Sequence, residues 1–135
     1  MKTKILIAAL LIACTFSACK DEKAEEKKTM DDVIKIHDKV MGKSEMIVQY
    51  KATLDSLTKV TTDSVMMVKA VNLKKDLTTA DAAMEDWMHK FNPDFTGKSH
   101  TDVMVYLQDQ QVQIKRVDSL ITNAIDKTGK YLKAK

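Results

Sequence analysis

Three glycines and one proline in 135 residues leave little material for tight turns, which argues against an all-β fold. The two cysteines, Cys14 and Cys19, both lie near the start of the chain. A disulfide or metal pair between them could not staple the remainder. There is no Gly-x-Ser-x-Gly elbow, phosphate-cradling glycine loop, His-Glu-x-x-His pair or paired-cysteine site. Aspartates and glutamates are plentiful but spread along polar helix faces. No catalytic residue and no cofactor is therefore expected, and the chain does not read as an enzyme. Lysines are not clustered with stacking aromatics, so nucleic acid is not an expected partner. After residue 18 no apolar run approaches the roughly twenty residues a spanning helix needs.

What the chain does carry begins with "LIACTFSACKDEKAEEKK", residues 11 to 28. Lys2 and Lys4 precede an apolar run from Ile5 to Phe16, and small residues follow it, the pattern of a secretory signal over residues 1–18. Removing it takes away Lys2 and Lys4, so the formal charge falls from +3 to +3 − 2 = +1. The remaining 135 − 18 = 117 residues suit one domain. Small residues before a cysteine resemble the lipobox of bacterial lipoproteins, in which the cysteine is acylated and becomes the new N-terminus. Cys19 preserves a full-length apolar region and puts charge directly after the cut. Cys14, the second choice, has the better residue three positions before it in Leu11 but shortens the apolar region to Ile5–Leu10. Residues 19–29 then read as a lipidated cysteine on a charged flexible tether, since they lack bulky apolar side chains. Ten such residues span at most about 35 Å. Lys20-Asp21-Glu22 resembles the lysine-plus-two-acids export signal of surface-exposed Bacteroidota lipoproteins.

Three stripes with alternating spacings of four and three follow. The first is Val33, Ile36, Val40, Lys43, Ile47, Tyr50, Leu54, Leu57. The second is Met66, Ala70, Leu73, Leu77, Ala80, Met84, Trp87, Phe91. The third is Val103, Leu107, Gln110, Ile114, Val117, Ile121, Ala124, Thr128, Tyr131. A mean spacing of 3.5 puts each set on one helical stripe. Thr29-Met30-Asp31-Asp32 and Ser99-His100-Thr101-Asp102 resemble helix starts. Asn92-Pro93 ends the second helix, because proline disfavours a helical residue before it. Lys59–Asp63 is the first connection. The fold expected for residues 30–135 is an all-α, up-down-up antiparallel three-helix bundle. Pairing helices symmetrically about their loops puts Gly42, Ala80 and Gln110 at one height.

"HDKVM" and "AMEDWMHKF" place His37 one turn from Met41 and Met84 one turn from Met88, beside Trp87. Thioethers and an imidazole suit a soft ion such as Cu(I). The competing reading is that methionines fill an irregular helical core and no metal binds. The same segments, "IHDKVMGKSEMI" and "ADAAMEDWMHKFNPDF", resemble a group of small Bacteroidota lipoproteins with His-Asp-x-x-Met and Ala-Asp-x-Ala-Met-x-x-Trp-Met segments. The resemblance runs from the signal to about Phe95 and implies a helical lipoprotein without indicating a mechanism. The expected function is thus a non-catalytic helical interaction module, lipid-anchored at the outer membrane, with either periplasmic or surface facing open to it. Its expected partner is another envelope or surface protein. The alternative is a soft-metal lipoprotein using His37, Met41, Met84 and Met88.

Overall fold

The computed structural model describes residues 2–134, with side chains from Asp21 onward. Four helices follow in order: α1 (Lys2–Met41), α2 (Ser44–Val60), α3 (Ser64–Lys90) and α4 (His100–Lys133). α1 and α2 form one leg with a slight bend at Gly42-Lys43, so the architecture is the expected all-α bundle of three legs, up, down and up. Through the bend the Gly42 amide donates to the Asp38 carbonyl at 3.0 Å and the Lys43 amide to the Val40 carbonyl at 2.9 Å. The second of these is one residue tighter than an α-helical bond. The four-and-three phase from Val40 through Lys43 to Ile47 survives the bend, so both halves present one stripe to the core.

Every residue of the three predicted stripes is buried or half-buried. Val33, Val40, Ile47, Leu54, Leu77, Leu107 and Ile114 are fully enclosed. The helix ends follow local chemistry. Asp63 caps α3 by accepting from the Val65 and Met66 amides at 2.8 and 3.2 Å. Ser99 caps α4, its Oγ accepting from the Asp102 amide at 3.2 Å and donating to the Asp102 carboxylate at 2.6 Å. This is the hydroxyl-then-acid pattern expected at that start. Phe91 is extended just before Asn92-Pro93. The turn that follows uses Gly97 at φ 75°, a backbone state that disfavours any side chain.

Three expectations need correction. Residues 21–29 are not a loose tether but part of α1, and Thr29 does not start a helix; its hydroxyl bonds back to the Glu25 carbonyl at 3.0 Å. Ala24 to Lys28 are strong helix formers, and Lys27–Asp31 and Lys28–Asp32 pair one turn apart at 2.5 and 3.0 Å. Composition hid this because the segment's cover comes from elsewhere in the chain.

The expected layer of Gly42, Ala80 and Gln110 does not form. Ala80 shares a groove with Leu120 and Ala124, whereas Gln110's neighbours in sequence, Asp109 and Gln113, line a groove with Trp87 and Lys90. Gln110 is therefore two to three helical turns away from Ala80. Symmetric pairing assumed a minimal loop. Instead the segment from Phe91 to Ser99 carries the chain past the end of α3 before α4 begins. The first turns of α4 consequently face the lower part of α1, which is why α1 is helical there.

Gly42 is exposed, and a Cβ added there would meet only the Asp38 and Lys39 carbonyls of its own helix, whereas one added at Gly129 would lie 3.0 Å from the Tyr50 hydroxyl.

Candidate functional site

The lower end of the bundle is built around a ladder of rings. Trp87 stacks on Phe91 at 4.8 Å and lies 5.9 Å from the His37 ring; Phe91 and Phe95 lie 6.2 and 5.7 Å from Tyr106. α1 contributes the imidazole, α3 the indole, the connecting loop Phe95, and α4 the phenol. The Tyr106 hydroxyl accepts from the Asn92 amide at 2.7 Å, tying the loop down at the point where α3 ends. Ring pairs at such separations add about 0.5–1.5 kcal/mol each beyond burial. Trp87 is only 5 % exposed, and its indole N–H has no hydrogen-bond partner among the described residues.

The proposed soft-metal set divides between inside and outside. His37 is half-buried against Trp87, as the antiparallel pairing requires, and its Nδ1 lies 2.9 Å from the Asp38 carboxylate. Met84 is buried at 3 % exposure within the core. Met41 and Met88 are each 39 % exposed. Met104 belongs to the same end and is buried, while His89 faces solvent. Among the described residues no three His, Cys, Asp or Glu side chains cluster to hold a metal ion.

Just below the ladder, Glu26 is buried to 7 % exposure and lies 3.0 Å from His100 Nδ1 at the first turn of α4. Lys23 adds an ion pair to Glu26 at 2.8 Å, and Glu25 approaches the other ring nitrogen of His100 at 3.6 Å. The hydrogen bond from Lys23 leads in holding the Glu26 carboxyl below its ordinary value; burial opposes it and His100 assists. This clasp fastens α1 to α4.

A second clasp lies at the bend. Lys43 Nζ donates to Asp118 at 2.6 Å and to the Thr122 hydroxyl at 2.6 Å, and Lys39 reaches Asp118 at 2.9 Å. Burial alone would raise the Asp118 carboxyl, but Lys43 and Lys39 together outweigh it and hold it below the usual value. Neither clasp follows from the stripe pattern of the sequence. The available signal for the second was Lys43 itself, a cation on an otherwise apolar stripe that needs an acid partner.

Of the residues assigned to export and anchoring, Asp21 and Glu22 are exposed at the lower end of α1. The side chains of Cys14, Cys19 and Lys20 lie outside the described residues. Among the described residues no helix is long and apolar enough to cross a membrane. Between α3 and α4 runs a solvent-open groove of about 370 Å³, with Ala83, Trp87 and Val117 in its walls and Asp86, Lys90 and Arg116 at its rim. No protein-family model, curated protein or solved structure matches the chain.

Proposed function

We propose that this chain is a lipid-anchored envelope lipoprotein whose helical bundle is a non-catalytic interaction module. The observation that carries the reading is the N-terminal pattern, an apolar run behind two lysines that stops at Cys19 and turns at once to charge. Acylation of Cys19 supplies the anchor, and Lys20-Asp21-Glu22 directs the bundle outward. The helical rod supports this role by offering long faces. Val105, Val112 and Leu120 on α4 and Val65, Val68 and Val71 on α3 are all half or more exposed or nearly so, between 47 % and 76 %. The partner is another envelope or surface protein.

Intact-mass analysis of the protein purified from membranes, with crosslinking and pull-down from the same envelope fraction, tests the reading. A mature N-terminus at acylated Cys19 and one saturable protein partner are expected. An unmodified Cys19, or an N-terminus at Cys14, would defeat the anchor assignment. Retention of no envelope protein above a Cys19-acylated control carrying an unrelated bundle would defeat the interaction role.

A further inference from the structure

A lipid anchor fixes where a protein is attached; the geometry of α1 also decides which way the protein stands. We propose that the end of the bundle carrying Asn92–Lys98 lies against the bilayer headgroups, held there by α1 as a rigid strut. This rests on acylation of Cys19 and goes beyond it.

From Asp21 back to Cys19 there are two residues, which span at most about 7 Å whatever their conformation. From Asp21 to Glu26 the chain is helical and rises about 7.5 Å. The Glu26–His100 clasp is therefore within about 15 Å of the acylated residue. Each interfacial layer of a bilayer is itself roughly 5–8 Å deep, so the clasp lies within a few such layers of the acyl chains. The segment does not hang free, because Glu26 is buried and bonded to α4 through His100, with Lys23 closing over it. The lower end of the bundle is thus kept within about 15 Å of the acylated residue, where a flexible tether would allow up to about 35 Å.

The surface at this end suits a headgroup layer. A shallow cleft is lined by Lys23, Glu26, Lys27, Met30, Pro93 and Phe95, the Glu26 carboxylate being taken up by Lys23 and His100, with Lys98 exposed on the adjoining turn. The Lys98 ammonium can reach lipid phosphates, while Lys23 and Lys27 are paired with Glu26 and Asp31 and lay their stems, with the Pro93 and Phe95 rings, along the interface. Asp21, Glu22, Glu25, Asp94 and Asp102 balance these cations, so the acyl chains and not net charge supply the attachment. The opposite end, the Thr61–Asp63 connection, stands about 50 Å outward, the rise of α1 and α2 from Glu26 to Val60. Val60 and Val65, exposed at 78 % and 76 %, are presented there, away from the membrane.

The acylated full-length chain in phosphatidylcholine vesicles tests this with a fluorophore on Lys98→Cys or on Thr62→Cys and a headgroup spin-labelled lipid as quencher. Quenching of the Lys98 probe should exceed that of the Thr62 probe at least fivefold. A twelve-residue Gly-Ser insertion after Lys20 should bring the two within twofold while leaving the melting temperature unchanged. Equal quenching without the insertion, or stronger quenching at Thr62, overturns the orientation while leaving an acylated Cys19 intact in the mass spectrum. An unchanged ratio with the insertion overturns the role of α1 as the strut. A chain with no acyl mass at Cys19 overturns both this orientation and the anchor reading.

Discussion

Trp87 shows how much one side chain holds at the lower end. It fills the seam between α3 and the other legs, stacks on Phe91 and meets His37. Trp87→Ala should cost about 3–5 kcal/mol, read as a lowered urea midpoint. A change within error, with native Trp87 fluorescence already water-like, would contradict its burial. Asp118 matters through charge. Asp118→Ala leaves the half-buried Lys43 ammonium without its carboxylate and should cost about 1–2 kcal/mol, after allowance for solvent at the pair. Because the folded Asp118 and Glu26 carboxyls lie below their ordinary values of 3.8 and 4.5, the stability they contribute is complete above about pH 4.5. It is lost as pH falls below those values and through the folded ones. Melting temperatures from pH 7 to 2.5 should therefore fall less steeply in acid for Asp118→Asn than for the wild type, from a lower neutral starting point. Parallel curves would show that the Lys43 and Lys39 pairs contribute nothing. The methionines are the third residue-scale case. With Met84 in the core and Met41 and Met88 at its edge, Cu(I) at micromolar concentration should give no stoichiometric complex and no rise in melting temperature. A one-to-one complex lost in both His37→Ala and Met84→Leu would instead establish the soft-metal alternative; a core methionine alone tolerates leucine at under about 1.5 kcal/mol.

The helices themselves were legible because burial repeats along them. Val33 to Leu57, Met66 to Phe91 and Val103 to Tyr131 each keep one phase, and polar intruders such as Lys43, Gln110 and Thr128 did not obscure it. Gln110 and Thr128 are indeed buried, each with a side-chain oxygen lacking a hydrogen-bond partner among the described residues. The Ser99 start and the Asn92-Pro93 stop were legible because capping and proline sterics act within four residues. What could not be read was the vertical offset between α3 and α4. It depends on the irregular path from Phe91 to Ser99, with its turn at Gly97, and no local pattern encodes how far that path carries the chain. The error propagated to α1: with α4 set too high, residues 21–29 had nothing to pack against and looked like a tether. Local helix propensity in Ala24-Glu25-Glu26-Lys27-Lys28 favoured the helix all along. The site suffered likewise. The adjacency of His37 and Trp87 followed from antiparallel pairing, whereas the Glu26–His100 clasp spans 74 residues and depends on the offset. Ala24→Gly provides the test at this scale. Ala24 is exposed, so the substitution removes little packing and should cost about 1 kcal/mol of global stability if α1 unfolds with the bundle. No change in the urea midpoint would mean that this segment frays independently.

Taken whole, the molecule is a rod whose legs differ in length. α3 is a 27-residue leg of about 40 Å; α4, at 34 residues, extends past its lower end together with α1. The short leg leaves a step, and the Asn92–Lys98 loop, the aromatic ladder and the Glu26–His100 clasp fill it. This construction makes α1 a wall of the bundle from Lys23 and Glu26 upward, so a position imposed on that segment is passed to the whole rod. Native-state hydrogen exchange resolved to single amides tests that claim most directly. The amides from Lys27 to Met30, each inside the helical ladder, should exchange at least a hundredfold slower than an unstructured chain. Glu26→Gln and His100→Ala should each raise exchange there more than in the Leu73–Leu77 region of α3. Exchange at unstructured rates from Lys27 to Met30 in the wild-type protein, with α3 protected, would contradict it: the segment would be a tether and the bundle would begin only above it.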